Sequence, residues 1–214
     1  MADKGYLTVR TNGEARLAIK KSLFIGYVIN VQSEEEALRF IEKIKKEHWD
    51  ATHNCYAYVI DNENDSAKRF SDDGEPSGTA GKPILNVIER LSLQDVVVVV
   101  TRYYGGIMLG AGGLIRAYVE AAKLAIDNAG IVEKVSAVEI TVTIDYGYYG
   151  RLESELISGG YQLGGKAFSD VVTATFLVPL NKANLFIETV NNLSNGEATI
   201  AVGEPCYIER DFFS

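Results

Sequence analysis

VVVVVTRYYGGIMLGAGGLIRAY, residues 96–118, is the stretch that organises the first half of the chain. Val96 to Val100 form a strand-sized run, apolar on both faces, as a central strand requires. Gly105, Gly106, Gly110, Gly112 and Gly113 then put five glycines into nine positions. A helix is expected from about 113 to 129, ending at Gly130, a residue suited to the position just past a helix C-terminus. Such a loop has few obstructing side chains, so its backbone N–H groups can converge on a ligand, and the helix N-terminus adds positive potential. Arg102 flanks the loop at the strand end. Arg116 falls in the expected first helical turn, where the macrodipole disfavours a cation. That placement points to an anionic partner; the bland alternative is an i,i+4 pair with Glu120.

Working outward, residues 5–12 and 22–31 read as strands, with Asn12-Gly13 as a turn signal. Ser33 followed by Glu36 forms a capping box, and Ala37, Leu38, Ile41 and Ile44 recur at helical spacing, predicting a helix over 34–47. A strand is expected at 53–60, then a long polar loop over 61–81. A helix carrying Ile84, Leu85, Val87, Ile88 and Leu91 follows, with Pro83 tolerated in its first turn. Residues 131–136 read as a linker. Beyond it the pattern is strand (138–145), helix (147–159), strands (161–168 and 171–178), helix (181–194) and strand (198–209). That βαββαβ order is the ferredoxin-like arrangement. The fold class is therefore α+β in two domains: residues 1–133, a β-sheet with a helix layer, and residues 134–214, ferredoxin-like.

The charge is unevenly divided. Residues 1–134 hold 17 Lys and Arg against 19 Asp and Glu, and residues 135–214 hold 4 against 10, within a total of −8. The acidic second half is a poor nucleic-acid binder by itself, while the near-neutral first half leaves room for a local basic patch. The start of the chain has no apolar run of the signal-peptide kind, and no stretch reaches the roughly 18 apolar residues of a membrane span. Cys55 and Cys206 are far apart and belong to no CxxC or Cys/His cluster, as expected of buried thiols in a reducing, cytoplasmic setting.

Three familiar motifs fail on inspection. Gly81-Lys82 is no phosphate loop, since Pro76 stands five residues before Gly81 and Pro83 follows Lys82. Gly110-Ala111-Gly112 lacks the third glycine of a dinucleotide fingerprint, its place being Ile115. Asp61, Glu63 and Asp65 have calcium-loop spacing, but Ser66 and Asp72 replace the turn glycine and the closing glutamate. No cofactor and no metal site is expected. The second polar segment, Ser71 to Lys82, contributes Asp72, Asp73, Glu75, Ser77, Thr79 and Lys82. Its carboxylates could orient a water or a hard cation, although a solvated Asp-Gly turn explains the composition as well. His53, at a strand start, is the better of two histidines for acid–base work, with Asp73 and Glu75 as companion candidates.

The blocks ATHNCYAY (51–58), DDGEPSGTAGKP (72–83), TRYYGG (101–106) and LGAGGLIRAY (109–118) closely resemble the IMPACT/YigZ family, in order and in spacing. The first domain resembles that family over about residues 18–128, and the remainder resembles the ferredoxin-like domain of bacterial members. The resemblance implies, for the first domain, the fold of the second domain of the fifth small-subunit ribosomal protein. For the second, it implies one like the C-terminal domains of elongation factor G. Together with Arg102, Arg116, Lys82, Tyr103 and Tyr104 near the glycine loop, the resemblance implies a role in regulating translation, with RNA, the ribosome or a translation-factor protein as partner, while the lack of a long apolar run leaves no membrane as partner. Arg102, Tyr103, Gly105, Gly106, Gly110, Gly112, Gly113 and Arg116 are the candidate anion site. An enzyme acting on a small phosphorylated or nucleotide-like ligand, and a pure protein-interaction module, are the competing readings.

Overall fold

The computed structural model describes residues 5–61 and 66–212. The chain divides into two compact units, one built on Tyr6–Glu133 and the other on Lys134–Arg210. In the first, β2 (Gly13–Ile19), β3 (Ser22–Asn30), β4 (His53–Asp61), β5 (Ser66–Ser71) and β6 (Val96–Tyr103) form one antiparallel sheet in the order β2-β3-β6-β4-β5. The five-valine strand is central, as its two-sided apolarity requires. Val96, Val98 and Val100 pack into one core, and Val97 and Val99 into another on the opposite face. α1 (Glu34–Glu47) covers the second face. α2 (Gly81–Arg90) and α3 (Ala111–Ala129) cover the first. A short β1 (Tyr6–Val9) precedes them.

Local chemistry explains these elements. Ser33 Oγ accepts from the Glu36 N–H, and the Glu36 carboxylate reaches back to the Gln32 N–H at 2.8 Å, so the box closes one residue further upstream than the usual pattern. α3 lies almost on the sheet backbone because the sheet offers glycine where the helix offers alanine. A Cβ at Gly26 would come within 2.4 Å of the Ala121 carbonyl oxygen. α2 has no capping side chain of its own. Asp72 supplies one from a distance, its Oδ1 accepting from Ala80 and Gly81 N–H at 3.0 and 2.8 Å.

The second unit takes β7 (Ile131–Ile144) from Lys134 onward, α4 (Tyr146–Ser158), β8 (Gln162–Phe168), β9 (Val172–Pro179), α5 (Ala183–Leu193) and β10 (Thr199–Asp211) up to Arg210. These strands order as β10-β7-β9-β8, the ferredoxin-like order of the βαββαβ repeat. Ile140 pairs with Phe176 and Val142 with Ala174, so both strands turn the same alternating residues onto Leu152, Leu156, Phe186 and Val190.

Four expectations need correction. Residues 131–136 are no linker but the first part of β7, which begins directly after Gly130. Residues 66–71, assigned to a loop, are β5, whose alternation is too polar to read because it is an edge strand. Glu63 and Asp65 lie outside the described residues. A strand over 13–19 was not anticipated, since its one-residue alternation follows the Asn12-Gly13 turn signal without an apolar run. Finally, α3 begins at Ala111, so Gly112 and Gly113 are helical and Arg116 sits in the second turn.

Candidate functional site

The site grows from one cross-strand pair. In the β4–β6 register His53 stands opposite Arg102, and Cys55 opposite Val100, all toward α2 and α3. Arg102 is 5% exposed, its guanidinium lying 5.4 Å over the Phe24 ring and 5.2 Å over the Tyr104 ring. Burial of such a charge demands a counter-ion. Glu75 provides it, with Arg102 Nη1 donating to Oε1 at 2.5 Å. Tyr118, four residues beyond Leu114 on the inner face of α3, donates to the same oxygen at 2.8 Å. The Cys55 thiol completes the group, donating to the Asp72 carbonyl and lying 3.5 Å from the Tyr118 hydroxyl. Burial pushes both the Tyr118 phenol and the Cys55 thiol upward; the neighbouring groups add to this for Tyr118, while for Cys55 the Tyr118 hydrogen bond offsets part of it, and both stay protonated.

His53 is held from one side. Its Nδ1 is 2.7 Å from the Asp73 carbonyl oxygen; a carbonyl only accepts, so Nδ1 carries the proton. Its Nε2 faces Glu75 Oε2 at 3.9 Å. The 71–82 segment exists to hold these two residues. Asp72 organises the turn through Gly78, Ala80 and Gly81 N–H groups. Asp73, at a φ of +45°, accepts from the Asn54 N–H at 2.7 Å and from Lys45 at 3.2 Å. Among the described residues no group of three His, Cys, Asp or Glu is arranged to hold a metal ion.

Above this base lies a pocket of about 400 Å³. His53, Glu75 and Arg102 form its polar part; Pro76, Tyr104, Met108, Leu109 and Leu114 form apolar walls. Gly110 and Ala111 bring the start of α3 to its rim. Leu114 N–H makes the first helical bond, to the Gly110 carbonyl, so the N–H groups of Ala111, Gly112 and Gly113 precede the ladder. The glycines differ in purpose. Gly110 at φ +72° turns the chain into the helix. Gly105 permits a close approach, because a Cβ there would stand 2.0 Å from the Lys21 carbonyl oxygen.

The structure thus brings His53, Glu75, Arg102, Gly110 and the start of α3 together, with Asp72 and Asp73 behind them. It sets other candidates apart. Tyr103 points to the α1 face of the sheet, where its hydroxyl meets His48 Nδ1 at 2.8 Å and Asp50 at 3.1 Å. Lys82 lies over Phe70 and 3.9 Å from Glu89; Ser77 is exposed; Thr79 donates to the Pro76 carbonyl. Arg116 is exposed, its Nη1 4.0 Å from where a Gly112 Cβ would be, and no ion pair to Glu120 forms among the described residues. Tyr118, Cys55 and Met108 were missed. For Tyr118 the signal was present: Leu114, Tyr118, Ala121 and Ala125 recur at helical spacing.

The fold and site describe a two-domain α+β protein with a ligand-sized pocket in its first unit. Residues 20–126 match the Impact N-terminal domain, and residues 142–197 match a domain of unknown function, DUF1949. IMPACT family member YvyE of Bacillus subtilis is 44% identical over 96% of this chain and 94% of its own length. IMPACT family member YigZ of Escherichia coli is 38% identical, covering 67% of this chain and 74% of its own. A crystal structure of a hypothetical protein, 30% identical, superposes with a TM-score of 0.60 over 95% of this chain and 99% of that one. This chain belongs to the IMPACT family. No described helix is long and apolar enough to cross a membrane.

Proposed function

We propose that the first unit binds single-stranded RNA in the service of translation, seating one nucleotide in the pocket beside α3. The observation that carries this is the convergence of an uncapped helix N-terminus, an apolar wall and a buried Arg102–Glu75–His53 group on one cavity. A cavity of this size suits a single nucleotide. The N–H groups of Ala111 to Gly113 suit its phosphate, and the half-exposed Tyr104 ring and the exposed Met108 suit its base.

The β2–β3 turn adds support. Lys20 and Lys21 both adopt positive φ, +46° and +66°, in a two-residue hairpin turn where asparagine and glycine are the comfortable choices. Such strain points toward function, and this turn abuts Gly105. Lys20, Lys21 and Arg116 are exposed and make no ion pair among the described residues, so their charge is available to flanking phosphates. Arg102 serves differently from the sequence expectation. It is tied to Glu75 and shapes the pocket rather than meeting solvent phosphate. Fluorescence anisotropy with short labelled oligoribonucleotides at low salt tests the reading: binding is expected with the isolated chain, and its absence at every salt concentration defeats the reading.

An enzyme acting on a nucleotide-like ligand is the second reading, favoured by His53 and Glu75 facing each other inside the pocket. Mass spectrometry of a nucleotide mixture after long incubation separates the two. New products indicate catalysis, and unchanged nucleotides leave binding alone.

A further inference from the structure

Two acceptor atoms at the polar end of the pocket have no hydrogen bond among the described residues. Glu75 Oε1 receives both Arg102 and Tyr118, which leaves Oε2 as the free oxygen of a carboxylate whose side chain is 3% exposed. His53 spends its Nδ1–H on the Asp73 carbonyl, which makes Nε2 the lone-pair nitrogen of that tautomer. The two atoms are 3.9 Å apart and belong to different segments lining one pocket, one on β4 and one on the 71–82 segment. A single hydroxyl has one hydrogen and satisfies one of them. Two adjacent donors satisfy both, and their spacing must be a little shorter than that of the acceptors.

A ribose cis-diol has this form, with two neighbouring O–H groups, and carboxylates are ordinary partners for ribose hydroxyls. Both hydroxyls are free only on the last nucleotide of an RNA chain. Elsewhere the 3′-oxygen belongs to a phosphodiester, which has no hydrogen to donate and would set a negative charge against Glu75. The polar residues also lie at the buried part of the pocket, where a chain end fits and a continuing strand does not.

We infer that the pocket takes the 3′-terminal ribose of single-stranded RNA, its 2′-hydroxyl donating to His53 Nε2 and its 3′-hydroxyl to Glu75 Oε2. The inference rests on the RNA reading above and narrows it to a chain end. The phosphate on the 5′ side of that ribose then lies toward the N-terminus of α3, and the preceding nucleotides run out past Lys20, Lys21 and Arg116.

The test varies the ligand before the protein. Three 5′-labelled hexaribonucleotides are compared by anisotropy, ending in a free cis-diol, in a terminal 2′-deoxyribose, and in a 3′-phosphate. Losing one buried hydrogen bond to such acceptors weakens binding roughly tenfold, so the deoxy end should bind about tenfold more weakly than the diol. The 3′-phosphate should bind more weakly still, and a 2′-deoxy sugar placed at an internal position should have no such effect. His53→Ala, checked for folding by its melting curve, should bring the diol-ended oligomer down to the affinity of the deoxy-ended one. Equal binding of all three ends by the wild-type chain overturns the inference and leaves the RNA reading standing. A tenfold end preference that persists in His53→Ala also overturns it. Failure of every oligomer to bind at low salt defeats the RNA reading itself, and the inference with it.

Discussion

Arg102 and Glu75 show how far one residue's role depends on its neighbours. The pair is buried with good geometry and a third partner in Tyr118, and removing one member strands the other charge. Glu75→Ala should therefore cost about 3–5 kcal/mol, seen as a large fall in the first unit's melting temperature, whatever it does to ligand binding. Arg116 is the opposite case. It is exposed, lies in the second turn of α3 and makes no ion pair among the described residues. Arg116→Ala should change stability by no more than about 0.5 kcal/mol while weakening RNA binding several-fold. A large melting drop would show that the side chain is structural. Cys55 and Tyr118 give a pH prediction. Both have folded pKa values raised above their ordinary 9.0 and 10.0, chiefly by burial. Groups raised in the folded state contribute stability that is intact below the ordinary value and lost as pH climbs past it. Denaturant midpoints should therefore fall from about pH 9 upward, and Tyr118→Phe should flatten the upper part of that fall.

At the scale of elements, α3 joins packing and function in one piece of chain. Its alanine face settles on β2 and β3 only because Gly13 and Gly26 have no Cβ; a Cβ at Gly13 would come 2.2 Å from the Ala125 carbonyl oxygen. Gly26→Ala should lift the helix and cost about 1–3 kcal/mol by overpacking, measurable by denaturant unfolding. Because the same helix presents its N-terminus to the pocket, the substitution should also weaken RNA binding, although Gly26 does not line the pocket. The capping box of α1 was fully legible, since Ser33 and Glu36 act within a few residues of each other. The cap of α2 was not. Asp72 reaches it from eight and nine residues away, through a turn whose course depends on Asp73 and Gly74 adopting positive φ. Sequence spacing recognises short-range caps, and Asp72 looked like one more carboxylate in a polar run.

For the molecule as a whole, net charge and local charge pull apart. A chain of −8 repels polyanions over its surface, so RNA must be held by the few cations around one pocket. If Lys20, Lys21 and Arg116 are those cations, about three phosphates are neutralised. The slope of log affinity against log salt should then be near −2, at about −0.7 per phosphate for a single strand. A slope several times steeper would mean a broader basic surface elsewhere. Continuity of the chain between its units is a second whole-molecule property. β7 starts directly after Gly130, so limited proteolysis should spare residues 131–136 and cut earlier in the exposed segment around Met108, which is 83% exposed. Early cleavage within 131–136 would mean that this part of β7 opens readily.

Patterns that repeat along the chain were decided by the sequence alone: the central valine strand, the amphipathic helices, the βαββαβ order of the second unit and the family. Each follows from periodicity or from a run of neighbouring residues, and burying an apolar stripe constrains every position in it at once. Which polar residues meet was decided only in three dimensions. His53 and Arg102 are 49 positions apart and become neighbours through the register of β4 on β6. Glu75 joins them because the Asp72 turn folds it back over the sheet, whereas Tyr103, adjacent to Arg102 in sequence, is sent to the other face by the two-residue alternation of a strand. Composition carries the polarity of a residue, but its partner depends on sheet register and on one long-range cap, and neither has a local sequence signal.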